Sequence, residues 1–146
     1  MSALVDLHRR HYAPDVFKSL WSRLGELVEK RTLIAPRQVY TEIKQRDDDL
    51  LEWAKQHKCM FHDPDSEQQA VVREILAKFP KLVDHTKTTE DADPFVIALA
   101  EVGGHTVVTA EKATVQGRPK IPNVCTARNV RCVDLLGMFR ALKWSF

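Results

Sequence analysis

The sequence lacks the cysteine motifs and the long apolar runs that mark disulfide-rich, zinc-binding and membrane proteins. Its three cysteines, Cys59, Cys125 and Cys132, are odd in number and nowhere form a CxxC pair. Neither a disulfide framework nor a zinc signature is predicted, and reduced thiols fit best. Every apolar run falls well short of the ~18 residues of a membrane helix, and charged residues interrupt the N-terminal region almost at once. We therefore expect a soluble, cytoplasmic protein without a signal peptide.

An excess of one charge is absent too. Twenty-two Lys and Arg residues face 20 Asp and Glu residues, a formal net charge of +2, which is too mild to predict nucleic-acid binding from global charge. Arg9 and Arg10 lie between His8 and His11. A polar surface turn explains this cluster, and a weak RNA-binding contact through Arg9 and Arg10 is the alternative.

No Gly/Ser linker, low-complexity stretch or internal repeat divides the chain. With 146 residues, 44% of them hydrophobic, one domain over residues 1–146 with a substantial core is predicted. Helical periodicity alternates with short β-branched segments. Helices are predicted to open or be capped at Pro14, Pro36, Asp47, Asp65 and Asp93, and near Asn123 and Leu135. Strands are predicted at 2–5, 33–35, 60–61, 106–109 and 130–133. This alternation indicates an α/β sandwich with a central, mostly parallel sheet and helices on both faces.

The segment from Glu90 to Lys112 is the most informative. Asp93 precedes Pro94, as an N-cap does, and an apolar helix follows. Gly103-Gly104 then turns the chain into a β-branched strand, and Glu111 comes just past its end. Because ligands of α/β proteins collect at the carboxyl ends of the strands, acidic side chains are expected to converge there.

Four acids enter this hypothesis: Glu42 on a predicted helix, Asp91, Asp93 and Glu111. Hard divalent ions such as Mg²⁺ and Mn²⁺ prefer carboxylate and water oxygens, and such an ion activates water for phosphodiester hydrolysis. The ordinary alternative is a helix cap for Asp93, a solvated helix residue for Glu42 and a loop charge for Glu111.

Several motifs together resemble a known family. Glu42, Ala-Asp-Pro-Phe-Val-Ile-Ala-Leu-Ala at 92–100 and Val-Val-Thr-Ala-Glu at 107–111 are similar to the acidic signature of PIN-type ribonucleases. The stretches at 2–9, 36–42 and 121–125 further resemble a PIN-like family of prokaryotes. The similarity spans essentially the whole chain, and residues 91–111 are its most specific part.

The resemblance implies an α/β sandwich whose acids hold Mg²⁺ or Mn²⁺ and cut RNA. Carried over by position, Glu42, Asp93 and Glu111 are the catalytic and metal-binding acids. Asp91 is an outer-shell candidate, and Thr109 matches the polar residue that supports the last acid. Many such domains are toxins of toxin–antitoxin modules, so RNA, a cognate antitoxin and a second copy of the chain are the partners that fit.

One position departs from the family pattern. The Asp that ends the family's first strand falls just before Met1, so the first strand is expected to be truncated. Either upstream sequence supplies this Asp, or the domain is catalytically weakened and works as a protein- or RNA-binding module.

Two other groups have alternative interpretations. His57, Cys59 and His62 contain three zinc-ligand types, but no fourth ligand has suitable spacing, and a loop that happens to contain them is favoured. Trp21, Trp53 and Trp144 are expected to pack in a core or interface rather than stack on bases.

Overall fold

The computed structural model describes residues 15–46, 48–83 and 91–145. The predicted strand at 2–5 and the basic pair Arg9-Arg10 lie outside these residues. The chain divides into two compact units, Met1–Asp63 and Pro64–Phe146, and the description below treats each separately. Within the described residues, no helix is both long and apolar enough to cross a membrane.

The described part of the first unit is mainly helical, with one pair of very short strands. Its elements are α1 (Lys18–Glu29), β1 (Ala35–Pro36), α2 (Arg37–Arg46), α3 (Asp48–Gln56), a 3-10 turn (Lys58–Met60) and β2 (Phe61–His62). The strands pair in parallel, with Ala35 opposite Phe61 and Pro36 opposite His62. The predicted parallel direction is thus confirmed for this pair.

The apolar face of α1 is buried for most of its predicted length. Leu20, Leu24 and Val28 are each 1% exposed, as expected of side chains repeating every three or four residues on one helix face. A helix that opens at Pro14, as the sequence predicts, would extend this apolar face to Val16 and Phe17. The structure differs, because α1 begins at Lys18 and both side chains are exposed.

The second unit contains the helix–strand segment on which the functional hypothesis rests. Its elements are α4 (Ser66–Lys78), a 3-10 turn (Pro80–Leu82), α5 (Asp93–Gly103), β3 (Val107–Val108), α6 (Ile121–Ala127), β4 (Cys132–Val133) and α7 (Leu135–Ala141). The strands β3 and β4 are parallel, with Val107 opposite Cys132 and Val108 opposite Val133. One core cluster gathers side chains from α4, α5, α6, β3 and the segments beside them, namely Ile75, Leu82, Ile97, Ala100, Val107, Ile121, Val124, Cys125 and Val130.

The described residues therefore form a mixed α/β structure with two two-stranded parallel sheets. The predicted strands are present at four places, but each is only two residues long, shorter than the mean strand of five to six residues. Pro36, predicted to open a helix, is the second residue of β1 and directly precedes α2. The predicted single central sheet with helices on both faces is not seen within the described residues.

Candidate functional site

Helix α5 begins one residue earlier than the sequence predicts, and this changes the role of Asp93. Asp93 is the first helical residue, Ala92 occupies the N-cap position, and Pro94 follows in the first turn. The side chain of Asp91 supplies the nearby acceptor, because the Asp93 N–H donates to Asp91 Oδ1 at 3.4 Å. The prediction that Asp93 is the N-cap is therefore wrong.

Asp93 is also buried, with 9% of its surface exposed. A carboxylate loses hydration when it is buried, and a charged partner, a hydrogen bond or a bound cation has to offset that loss. True capping acids in this chain are placed differently. Asp65 and Asp134 are exposed, and each accepts a backbone N–H three residues later at 2.7 Å.

The other end of this unit's αβ segment carries Thr109 and Glu111. Gly104 ends α5 in the left-handed conformation, with φ 69° and ψ 32°, which glycine adopts without a Cβ clash. The chain reverses there, and α5 packs on β3. The first turn of α5 and the carboxyl end of β3 are therefore expected at the same edge of the unit.

Thr109 holds the backbone of Glu111. Thr109 is 3% exposed, its N–H donates to Val133 O at 3.0 Å, and its Oγ1 accepts the Glu111 N–H at 3.1 Å. Glu111 Oε2 in turn accepts the Ile121 N–H, the first of α6, at 3.1 Å. Glu111 is half-buried, and both its backbone N–H and its carboxylate are hydrogen-bonded.

The loop that joins Glu111 to α6 is fixed by Asn123, which the sequence predicts only as a residue near a helix start. Asn123 Oδ1 accepts the N–H groups of Thr114 and Lys120 at 3.0 Å each, and its Nδ2 donates to Thr114 O at 2.8 Å. Arg118 Nε donates to Lys81 O at 2.6 Å. Asn123 has the third position of a capping box, but Lys120 at the N-cap hides the usual Ser/Thr and Glu/Gln pattern.

Two thiols lie beside this loop. The interaction with Cys132, together with burial, raises the pKa of the Cys125 thiol. The same interaction lowers the pKa of Cys132, while burial and the negative charge of Glu111 act in the opposite direction. The Glu111 carboxylate is therefore close enough to Cys132 to influence it.

Elsewhere in the second unit, the guanidinium group of Arg128 forms a hydrogen-bond network with two acids. Arg128 Nε and Nη2 donate to the two carboxylate oxygens of Glu101 at 2.7 Å each, and Nη2 also donates to Glu74 at 2.8 Å. These hydrogen bonds raise the pKa of Arg128 above its already high value. The nearby cavity, about 310 Å³ and lined in part by Glu101, His105 and Arg131, was not predicted.

Glu42 belongs to the first unit, whereas Asp93, Thr109 and Glu111 belong to the second. It is half-buried on α2, next to the fully buried Ile43. Across residues 15–46, 48–83 and 91–145, no three His, Cys, Asp or Glu side chains are grouped so that they could hold a metal ion. The convergence of Glu42 with the other acids stays a prediction.

His57, Cys59 and His62 are likewise not such a group. The His57 ring stacks on Trp53, with centroids 4.5 Å apart, and its Nδ1 donates to Trp53 O at 2.8 Å. Cys59 and His62 are exposed. Trp21 packs edge-on against Trp53 at 5.2 Å, in agreement with a packing role for both rings.

The comparisons with known proteins give a family. A family model described as a domain of unknown function, DUF4411, matches residues 1–146. No curated protein matches the chain, and no solved structure does.

Proposed function

This chain belongs to the DUF4411 family, and we propose that it is a metal-dependent ribonuclease of the PIN type, with the sandwich fold of that class. The observation that supports this proposal best is Asp93: a buried carboxylate in the first turn of an apolar helix, in a position where it does not act as the N-cap. The motif around it is also the most specific part of the resemblance to PIN-type ribonucleases.

The second support is the end of β3. Thr109 fixes the backbone of Glu111, and the Ile121 N–H fixes one of its carboxylate oxygens. Such a side chain is held in one orientation before any ligand arrives, which favours precise positioning of a reacting group. Asp91, whose Oδ1 accepts the Asp93 N–H, is the proposed outer-shell residue.

The proposed donors are Asp93, Glu111 and Glu42, all of them carboxylates. Their chemistry fits Mg²⁺ or Mn²⁺, which prefer oxygen ligands. A bound ion supplies an activated water and neutralises the charge that develops on an RNA phosphodiester. RNA is the proposed substrate, and the toxin of a toxin–antitoxin module, partnered by a cognate antitoxin, is the proposed setting.

A second function is favoured by a different observation. The Glu111 carboxylate already binds the first N–H of α6, and anchoring a helix start is a structural role that needs no metal. A PIN-like domain that binds RNA or protein without cutting is therefore the alternative.

A cleavage assay decides between the two. Single-stranded RNA labelled at one end is incubated with Mn²⁺ or Mg²⁺ and with the parent protein, Asp93→Asn or Asp65→Asn. The control also loses one negative charge, but Asn is as good an N-cap as Asp. We expect Asp93→Asn to lower the cleavage rate at least ~100-fold, or about 2.7 kcal/mol in the barrier, and Asp65→Asn to leave it unchanged.

Equal rates for the parent and Asp93→Asn would assign the cleavage to a contaminant or to another site. A parent that binds RNA but does not cut it with either ion would support the binding module instead. EDTA provides a further check, because it should abolish cleavage by the parent.

A further inference from the structure

The loop between β3 and α6 is basic, although the chain as a whole is nearly balanced in charge. Residues 111–120 contain one acid, Glu111, and three bases, Lys112, Arg118 and Lys120, whereas the whole chain has 22 Lys and Arg residues against 20 Asp and Glu residues. Lys112 and Arg118 are exposed, and Lys120 is half-buried. The local excess of positive charge therefore lies on the segment that leads away from Glu111.

Two of these bases are next to the Glu111 carboxylate. Glu111 Oε2 accepts the Ile121 N–H at 3.1 Å, and in the chain Lys112 follows Glu111 while Lys120 precedes Ile121. Consecutive Cα atoms are about 3.8 Å apart, so each lysine is one residue away from a partner of this hydrogen bond. The backbone thus places both lysines beside an acid of the proposed nuclease site.

A fourth base comes from a distant segment. Arg118 Nε donates to Lys81 O at 2.6 Å, across 37 residues of sequence, and Lys81 is exposed as Arg118 is. This bond uses one of the five N–H groups of the guanidinium, and the fork of the two terminal nitrogens suits a phosphate. The four bases, here called the basic surface, are Lys81, Lys112, Arg118 and Lys120.

Hydrogen bonds fix the loop that carries most of the basic surface. Asn123 Oδ1 accepts the N–H groups of Thr114 and Lys120, and the Thr114 hydroxyl donates to Arg118 O at 3.1 Å. A fixed backbone lowers the cost of ordering the site when a ligand binds. In the part of the chain that the structure describes, none of the four basic side chains forms an ion pair. Their charges are therefore not neutralised by the described acids.

We propose that the basic surface binds the phosphate backbone of single-stranded RNA and holds the strand beside Glu111. The choice of RNA rests on the ribonuclease function proposed above, which this inference deepens by naming the residues that position the substrate. Arg and Lys form strong, charge-assisted hydrogen bonds to phosphate oxygens. Such contacts fix the register of a nucleic acid without reading its sequence.

RNA-binding measurements on the full chain test the basic surface. A fluorescently labelled single-stranded RNA is titrated by anisotropy in EDTA, where a metal-dependent nuclease cannot cut it, at several NaCl concentrations. Each phosphate contact to a single strand contributes about −0.7 to the slope of log K against log salt, or ~5-fold in affinity at ~0.1 M salt. Lys112→Gln and Arg118→Gln should each show this loss, and the double variant should lose ~25-fold.

Arg131→Gln is the matched control, because it also removes one exposed positive charge from the second unit. Arg131 precedes β4 and its O accepts the Val107 N–H, so it lies at the amino end of the strand pair, whereas the basic loop follows the carboxyl end of β3. This variant should bind RNA with the affinity and salt slope of the parent. Lys112→Gln stays informative even if Arg118→Gln loosens the loop, because only Arg118 bonds to Lys81 O.

The binding and cleavage results fail separately. A parent that does not bind the RNA, or Lys112→Gln and Arg118→Gln variants that bind it as Arg131→Gln does, would overturn the basic surface even if the parent cleaves RNA. Binding that depends on Lys112 and Arg118 in a chain that no ion makes cleave RNA would support the basic surface and reject the nuclease.

Discussion

The two parallel strand pairs are alike in length and direction, but their ends carry different chemistry. In the first unit β2 is followed by Asp63, whose side chain is 84% exposed and pairs with the half-exposed Arg37 at 2.9 Å. In the second unit β3 is followed by Thr109 and Glu111, which are buried and half-buried and held by backbone hydrogen bonds. An acid after a strand is thus a surface charge in one unit and a positioned side chain in the other.

The same contrast holds for the arginines of the two units. The side chain of Arg37 is 52% exposed and forms one ion pair, with Asp63. The side chain of Arg128 is 20% exposed and donates two parallel hydrogen bonds to Glu101. Exposed pairs gain little because water and salt screen them, while bidentate, partly buried pairs are stronger. Sequence proximity to an acid does not reveal this difference. Three measurements test how far the contrast extends.

The largest effect is expected from Mn²⁺ and tests whether Glu42 of the first unit acts together with the acids of the second. An ion at ~100-fold over its Kd stabilises the parent by about 2.7 kcal/mol, or about 5–10 °C in Tm for a domain of this size. Glu42→Gln, which keeps size and helix propensity, should weaken the affinity ~10- to 100-fold. At the same Mn²⁺ concentration the gain should fall to about 0.4–1.4 kcal/mol.

Glu26→Gln is the control for that experiment, because Glu26 is an exposed acid on α1. Thermal melts with Mn²⁺ and with EDTA give the two shifts for each protein. If Glu42→Gln and Glu26→Gln gain as much from Mn²⁺ as the parent does, Glu42 is a solvated helix residue and not a ligand.

The next effect sharpens the comparison of the two arginines. Arg128→Ala should lower the free energy of unfolding by about 2 kcal/mol, because it removes charged hydrogen bonds and leaves the Glu101 carboxylate three-quarters buried without them. Arg37→Ala should cost less than about 1 kcal/mol. Urea titrations of both variants provide the two values, and equal losses would refute the distinction between the pairs.

The smallest effect concerns the capping acids. Asp65→Ala should cost about 1 kcal/mol of unfolding free energy, because the Gln68 N–H loses its acceptor. Asp65→Asn should restore nearly all of it, since Asn caps equally well. Calorimetric melts of the two variants beside the parent measure this. A full loss in Asp65→Asn would show that charge, and not the hydrogen bond, is the stabilising feature.

Local signals predicted much of the second unit correctly. The Asp65 cap, the apolar helix after Asp93, the Gly turn at 103–104 and the strand around Val107 all depend on residues within a few positions of each other. These residues satisfy backbone hydrogen bonds at the ends of helices and strands. Such signals are local and can therefore be read from a single sequence. Where two local solutions compete, the prediction fails: Asp91 rather than Asp93 supplies the acceptor at the start of α5, because Pro94 is tolerated one place further into the first turn.

Long-range contacts could not be predicted from the sequence. Arg128 contacts Glu101 and Glu74 across 27 and 54 residues, and no local spacing distinguishes these two acids from the other acids of the chain. The burial of Asp93 and the exposure of Val16 and Phe17 are of the same kind. Whether each of these side chains is buried or exposed depends on which surface a distant element covers. Helix periodicity identifies an apolar face but not the element that packs against it.

The sequence by itself determined where most helices and strands lie, that the strand pairs are parallel, and which acids are candidates. Those features follow from hydrogen-bond geometry and hydrophobic periodicity along a few neighbouring residues. Only the tertiary structure decided that Glu111 is anchored to the first N–H of α6, that Asp93 is buried without being the N-cap, and that Cys125 and Cys132 pack in one core cluster. Each of these depends on the packing of separate elements against one another, and packing is selected by the burial of the whole core rather than by any one segment.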